Sequence, residues 1–248
     1  KLLFIPVTLA TALSTTILPS ISAAAAKNDY SLLRRRITGS MKTILIIIVP
    51  AAIGMTVMAK PIIHIIFPTT PVGWDLLMMG SWIMILISVV SVQTSILQGI
   101  GKTYVPTVHL AVGLILKLIV NYNLIAIKSV NIKGAIAGSA VCYIFAFIMN
   151  YRSIRKFTGV RLDVKRLFNR PLSISVIMGI LVFLIYEGFV FMTEWFISSF
   201  YIMNLVCAGL AIMAGVGIYY LLMIIAGGIT SEDIKRMPMG GKIHRQLS

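Results

Sequence analysis

Charged side chains are scarce in this sequence. They make up 12% of the 248 residues, whereas an ordinary soluble domain carries about 25%. A mean hydropathy of +0.97 excludes a water-soluble fold of this size. The few charges are clustered, and the apolar stretches between them reach about 18 residues or more, which is enough to cross a bilayer. The composition therefore predicts an integral membrane protein.

Cysteines and catalytic motifs are also scarce. The two cysteines, Cys142 and Cys207, lie inside apolar stretches, which predicts buried thiols rather than a disulfide or a metal pair. The sequence contains no zinc-ligand spacing, no phosphate-binding loop, no GxSxG elbow and no HExxH helix. We therefore expect no metal, no cofactor and no catalytic residue, so the protein is not predicted to be an enzyme.

The basic residues are plentiful but dispersed. The net charge of +15 is carried by Lys and Arg that lie between the apolar stretches, not on one soluble face. Nucleic-acid binding needs a water-exposed basic domain, and the sequence has none. The charge therefore indicates membrane topology, with no nucleic-acid partner.

Seven apolar stretches are long enough to span a membrane as helices. Barrel strands need only about ten residues of alternating pattern, so the predicted fold class is an all-α, polytopic helical bundle. Two connections are long, 27–42 and 152–171, and the stretch Tyr30–Arg36 has the composition of a short amphipathic helix on the inner membrane surface. The predicted spans are 2–24, 43–67, 76–98, 105–127, 133–151, 172–191 and 199–227.

The positive-inside rule fixes the expected orientation. The alanine run at 23–26 resembles a signal-peptide cleavage site, but cleavage there would export 17 of the 22 Lys and Arg. The opposite orientation places those 17 inside. We therefore expect a first helix that enters from outside, a cytoplasmic C-terminus, and a fragment of a longer bundle with an even number of helices.

Lys117 is the most informative polar residue. It lies near the middle of its span, too deep to reach the surface easily, and a lysine there costs about 3 kcal/mol. Asn121 is one helical turn away on nearly the same face, and His109 flanks this strip. The strip favours a helix that lines an aqueous cavity. The alternative is that Lys117 serves only packing and pairs with a carbonyl or a carboxylate of another helix. No carboxylate lies deep in another span, and the nearest candidate is Glu187, close to the outer end of its helix.

Other polar and helix-breaking residues give weaker signals. Gln93 is predicted to hydrogen-bond between helices or to line the cavity, a contribution of about 0.6 kcal/mol. Lys60 is expected to reach the outer headgroups. The small residues from Gly134 to Ser139 predict close helix packing. The prolines are typical of moving bundles, but receptors and channels share them.

The order of four motifs resembles a known family. They are IPVTLATALSTTILPSIS, then IIIVPAAIGMTVMAKPIIHIIF, then SVQTSILQGIGKTYVPTVHLAVGLILKLIVNYNLI and IKGAIAGSAVCYIFAFIMNY. Together they resemble the polysaccharide-exporter branch of the MATE/MOP superfamily, close to stage V sporulation protein B and MurJ-like lipid II flippases. The resemblance covers essentially the whole chain.

The resemblance implies an architecture and a function. Residues 1–171 would be helices 8–12 of a fourteen-helix transporter, and 172–248 the last two helices, which form a groove for a lipid tail, with a cytoplasmic tail. The absent N-terminal lobe would be the partner within the same polypeptide. The implied protein lies in the bacterial cytoplasmic membrane and moves a lipid-linked oligosaccharide, for peptidoglycan or sporulation, by alternating access between two lobes. Anionic lipids are expected at the inner face.

Three alternatives stay open at this stage. A cation-coupled multidrug exporter of the same superfamily would use carboxylates deep in the membrane, and this chain has none in mid-span. A membrane-embedded transferase would need a nucleophile, an acid–base pair or a metal cluster. A purely structural protein would not require a lysine in mid-membrane, so that Lys117→Ala would leave its phenotype intact.

Overall fold

The computed structural model describes residues 2–127, 132–193 and 200–227. The expectation about the tail after residue 227 lies outside these residues. Within them every regular element is an α-helix, which confirms the predicted fold class. The helices are α1 (Phe4–Ala26), α2 (Tyr30–Val57), α3 (Ala59–Ile66), α4 (Trp74–Gly99), α5 (Tyr104–Ile125), α6 (Ile132–Thr158), α7 (Val164–Thr193) and α8 (Phe200–Ile225).

Seven of these helices are long and apolar enough to cross a membrane, as predicted. The exception is α3, which has eight residues and follows α2 after a break at Met58. The sequence pattern placed both in one span at 43–67, because the apolar run continues through the break.

The two long connections predicted from the sequence are mostly helical. Residue 30 already begins α2, so the arginines at 34–36 lie in its first turns rather than on a separate surface helix. Likewise α6 continues to Thr158 and α7 begins at Val164, which leaves five residues between them. These corrections share one cause: charges end an apolar run, but Lys and Arg are good helix formers and do not end a helix.

Helix ends follow local chemistry. At the end of α4, Lys102 N donates to Leu97 O at 2.8 Å and Gly101 N donates to Gln98 O at 2.9 Å. This pair of bonds needs a left-handed residue after the cap, and Gly101 has φ +78°. Gly101 therefore allows α4 to end at this point.

The prolines form two groups, which differ in whether they remove a hydrogen bond from the helix backbone. Pro6, Pro61 and Pro106 are each the third residue of a helix, where no intrahelical hydrogen bond is lost. Pro19, Pro50 and Pro171 lie inside helices and each removes one such bond. The sequence alone does not separate these two groups, because the distinction depends on where each helix begins.

The chain forms two compact units, and helices α2 and α4 contribute to both. The first unit comprises residues 1–48 and 82–164, and the second residues 49–81 and 165–248. In the first unit, α1 packs closely on α4: a Cβ added at Gly99 would lie 2.7 Å from Ile21 Cγ2. The division expected at residue 171 refers to the helices of longer relatives and stays a prediction.

Apolar contacts and a polar network hold the described helices of the second unit together. A Cβ at Gly179 of α7 would lie 2.8 Å from Ile53 Cγ2 of α2. The polar network joins α3, α7 and α8: Tyr186 OH donates to Asn204 Oδ1 at 2.8 Å, and Asn204 Nδ2 donates to Pro61 O at 3.1 Å. Asn204 is almost fully buried, so these bonds offset the cost of burying its amide.

Candidate functional site

The candidate site lies on the paired helices α5 and α6 of the first unit. The buried face of α6 repeats every four residues and consists of Gly134, Gly138, Cys142, Ala146, Asn150, Ile154 and Thr158. Such small residues let helix backbones approach closely. A Cβ at Gly134 would lie 2.9 Å from Leu124 Cβ, and the predicted small-residue packing surface is therefore confirmed.

The strip that was predicted to line a cavity faces this surface in part. A Cβ at Gly113 of α5 would lie 2.9 Å from the carbonyl oxygen of Cys142. The Asn121 side chain lies against Gly138 of α6. A Cβ added at Gly138 would also lie 3.2 Å from Lys117 O. The strip is thus an interface between two helices along much of its length.

Asn121 has an unsatisfied polar atom at this interface. Its Oδ1 is buried and accepts no hydrogen bond from the described part of the chain. Because an unpaired buried oxygen is costly, this position favours a polar group supplied from outside the described residues.

Lys117 occupies the middle of the strip. It lies eight residues before the last residue of α5, about 12 Å along the helix axis, and its side chain is half-buried. No carboxylate forms an ion pair with it in the described ranges. The packing alternative, in which a carboxylate of another helix pairs with this lysine, therefore finds no support there.

His109 has a definite partner. Its Nδ1 lies 2.8 Å from Asn150 Oδ1 of α6, 41 residues further along the chain. With this amide orientation the ring nitrogen is the donor. Asn150 is completely buried, and its Nδ2 has no partner within the described chain. Asn150 is not among the residues predicted above, although its place in the four-residue repeat of α6 is visible in the sequence.

Gln93 lies apart from these residues, on α4. Its side chain is completely buried, and both of its amide atoms lack a hydrogen-bond partner among the described residues. The structure therefore brings His109, Lys117 and Asn121 together on α5, and it encloses Gln93 in protein.

The remaining face of α5 is apolar and exposed. Leu118 is 68% exposed, and the same face carries Val108, Val112, Ile115, Ile119 and Tyr122. Among the 18 residues that form the apolar part of this helix, 6% are buried. Lys117 therefore lies at the border between a packed face of α5 and an exposed one.

No metal site is formed by the residues that the structure describes, since no group of three or more His, Cys, Asp or Glu side chains comes together there. Cys142 and Cys207 are both buried thiols, as predicted.

Three comparisons place the chain among known proteins. A family model described as "Lipid II flippase MurJ" matches residues 3–231. The lipid II flippase MurJ of Bacillus subtilis (strain 168) is 35% identical over 188 residues, which cover 73% of this chain and 34% of that protein. An uncharacterized membrane protein of the same organism, YabM, is 23% identical over 236 residues, which cover 95% of this chain and 43% of that protein.

The fold comparison agrees with these sequence matches. A solved structure of the lipid II flippase MurJ in an inward closed conformation matches with a TM-score of 0.64 at 15% identity, over 89% of this chain and 45% of that chain. This chain therefore spans less than half the length of each of these proteins.

Proposed function

This chain belongs to the lipid II flippase MurJ family, and on that premise we propose that it serves in a flippase for a lipid-linked sugar precursor of peptidoglycan. The family match over residues 3–231 carries the proposal, and the 35% identity to the Bacillus protein supports it. Transport of this kind moves the precursor across the bacterial cytoplasmic membrane by alternating access between two lobes and makes or breaks no covalent bond.

Lys117 is the residue that we propose for contact with the substrate. A lipid-linked sugar precursor carries a pyrophosphate, and an ammonium without a carboxylate partner is a suitable counter-charge for it. Asn121, one turn away, would add a polar contact at the same face. The His109–Asn150 hydrogen bond would fix the angle between α5 and α6. Gln93 of α4 would line the same cavity.

The exposed face of α5 is where we propose that a further lobe of the same polypeptide packs. The matched relatives are more than twice as long as the matched segment. An apolar face this exposed would otherwise meet lipid along its whole length, and Lys117 beside it would then be left at the hydrocarbon. A facing lobe would enclose the lysine in a cavity.

The last two helices are proposed to guide the lipid tail. Helices α7 and α8 pack on each other through Gly215, where a Cβ would lie 2.5 Å from Val182 Cγ2. Their other faces present large apolar side chains to the outside, among them Ile180, Leu184 and Leu205. Such a surface suits a polyprenyl chain.

The orientation is proposed from charge. Most basic residues lie in or near the connections between α1 and α2, α4 and α5, and α6 and α7, many of them in the adjoining helix ends, whereas residues 67–73 between α3 and α4 include none. By the positive-inside rule the first group lies in the cytoplasm, together with the C-terminus. Anionic lipids of the inner leaflet would be attracted to these cations at about 1 kcal/mol per charge.

The multidrug-exporter alternative is not favoured. The family model names a lipid II flippase, and no carboxylate lies in the middle of a described span to couple a cation.

Complementation tests the proposed function. The full-length gene that contains this chain is expressed in cells depleted of their own lipid II flippase, beside Lys117→Ala and Lys60→Ala variants. Lys60 is a matched control because it lies at the outer end, 5.6 Å from the ring centre of Trp74. We expect growth with the unaltered gene and with Lys60→Ala, and failure with Lys117→Ala at equal protein abundance. No growth with the unaltered gene contradicts the assignment to lipid II.

A further inference from the structure

A cavity of about 330 Å³ opens at the basic end of the first unit. This volume is at the low end of small-molecule pockets, which span roughly 300–1,000 Å³. The start of α2 and the connection between α6 and α7 form its wall together. The lining residues are Tyr30, Arg34, Thr158, Gly159, Val160 and Arg161.

The α2 side of the cavity is fixed by a helix cap. Asp29 Oδ1 accepts hydrogen bonds from Leu32 N at 2.9 Å and from Ser31 Oγ at 2.7 Å, so the first turn of α2 is well defined. Tyr30 and Arg34 are four residues apart and therefore share one face of the helix. Both side chains are exposed, and both border the cavity.

The opposite side is a short connection held in place by three hydrogen bonds. Gly159, with φ +67°, donates from its N to Arg155 O at 3.0 Å. Val160 N donates to Thr158 Oγ1 at 3.2 Å, and Tyr151 OH donates to Leu162 O at 3.2 Å.

Arg161 lies at the exposed surface of this connection. Its neighbours Val160 and Leu162 are 5% and 4% exposed, so both anchor the connection to the protein, while Arg161 between them is exposed. The Thr158 hydroxyl already donates to Ile154 O. Thr158 therefore shapes the connection rather than offering a donor to a ligand.

Two guanidinium groups thus border one cavity, and no acidic side chain lines it. Neither Arg34 nor Arg161 forms an ion pair within the described ranges, and the nearby Asp29 carboxylate is occupied by the α2 cap. Two like charges that share a concave site repel each other, and a bound anion would relieve this repulsion. Paired arginines fit phosphate oxygens especially well, because each guanidinium can donate two parallel hydrogen bonds.

We propose that this cavity binds a single phosphate group, carried by an anionic phospholipid headgroup or present as free phosphate. Arg34 and Arg161 donate to its oxygens from opposite walls, and the Tyr30 hydroxyl adds a third donor. The lipid source rests on the orientation proposed above, which places the cavity at the inner leaflet. The site lies at the end of the first unit, whereas Lys117 lies in mid-membrane, so phosphate binding here is distinct from substrate transport.

The test measures lipid retained by the full-length protein in neutral detergent. Phosphatidylglycerol is titrated in, and bound lipid is counted by native mass spectrometry, for the unaltered protein and for Arg34→Gln, Arg161→Gln, Tyr30→Phe and Arg155→Gln. Arg155→Gln is the matched control: this arginine is exposed at the same end, in the last turn of α6, but does not line the cavity. In a second arm, inorganic phosphate competes with the lipid.

We expect one tightly held phosphatidylglycerol in the unaltered protein and in Arg155→Gln. Arg34→Gln and Arg161→Gln should each weaken binding about tenfold or more, the effect of losing a charge-assisted hydrogen bond, and Tyr30→Phe should weaken it less. If millimolar phosphate displaces the lipid, the site takes free phosphate too; if it does not, the site selects the headgroup. Equal binding by all variants, or an equal loss in Arg155→Gln, overturns the proposal, whatever the outcome of the complementation test.

Discussion

At the scale of single residues, the contact between α5 and α6 is decided by the absence of a side chain. Gly138 is buried against Asn121 and against the backbone of Lys117. A backbone carbonyl cannot rotate away from an added methyl group as a flexible side chain can. The position of Lys117 relative to α6 therefore depends on a glycine one helix away.

Gly138→Ala is accordingly expected to destabilise the protein by about 1–3 kcal/mol, as overpacking does. Gly217→Ala is the matched control, because a Cβ at this helical glycine of α8 meets no atom within 4 Å; it should be neutral or stabilising by about 0.4–1 kcal/mol. Thermal unfolding of the full-length protein in detergent measures both. Equal midpoints for the two variants would contradict the close packing.

Asp29 gives a prediction that includes pH. The hydrogen bonds from the Leu32 backbone and the Ser31 side chain lower the pKa of its carboxyl below the usual value of an aspartate. Because the pKa in the folded protein is below the unfolded value, the stabilising contribution is present above the unfolded pKa and is lost as the pH falls through the folded pKa.

We therefore expect Asp29→Ala to speed deuterium exchange at the Leu32 amide at neutral pH. Asp29→Asn should preserve protection, because asparagine also caps helices, and its cap should not weaken in acid. Exchange in the full-length protein, followed by mass spectrometry, measures this. Unchanged exchange in Asp29→Ala would show that the cap contributes nothing.

Some of these residues can be predicted from the sequence because their position depends only on counting along one helix. The depth of Lys117 follows from counting along an apolar run, because a helix rises by a fixed distance per residue. The bond from His109 to Asn150 joins positions 41 residues apart, and local pattern carries no information about such a distance. The Arg34–Arg161 cavity was missed for the same reason.

At the scale of elements, the break between α2 and α3 is tied to the last helix. Asn204 of α8 donates to Pro61 O in the first turn of α3 and accepts from Tyr186 OH of α7. One buried amide thus connects three helices of the second unit. The sequence predicted the spans but not this break, because an apolar run looks the same whether or not its helix is interrupted.

Asn204→Leu should destabilise the protein by about 1–3 kcal/mol, since it leaves the Tyr186 hydroxyl without its acceptor. Tyr186→Phe should cost about 0.5–1.5 kcal/mol, and the double variant should cost less than the sum. Tyr201→Phe, on an exposed side chain, is the control for loss of a hydroxyl. Strict additivity in thermal unfolding would exclude the coupling.

At the scale of the whole molecule, the class of protein could be predicted well from the sequence. The seven spans and the absence of strands among the described residues follow from the length of the apolar runs. The family follows from the order of the motifs. The partner that packs against the exposed face of α5 cannot be predicted from the sequence of α5 itself.

The proposed orientation predicts which connections are reachable from outside. Thr69→Cys and Thr103→Cys place thiols at exposed positions, the first between α3 and α4 and the second between α4 and α5. In cells that express the full-length protein, a membrane-impermeant thiol reagent should label Thr69→Cys at once and Thr103→Cys only after permeabilisation. The unaltered protein provides the blank. The reverse pattern would invert the topology.

The most direct test of the central claim is the appearance of lipid II at the outer face of the membrane. It is measured with a membrane-impermeant reagent in cells whose only flippase is the full-length protein. We expect that lipid II reaches the outer face with the unaltered protein and with Lys60→Ala, and that Lys117→Ala slows its appearance about tenfold or more. Lipid II that stays at the inner face in cells with the unaltered protein would show that the protein is not a lipid II flippase.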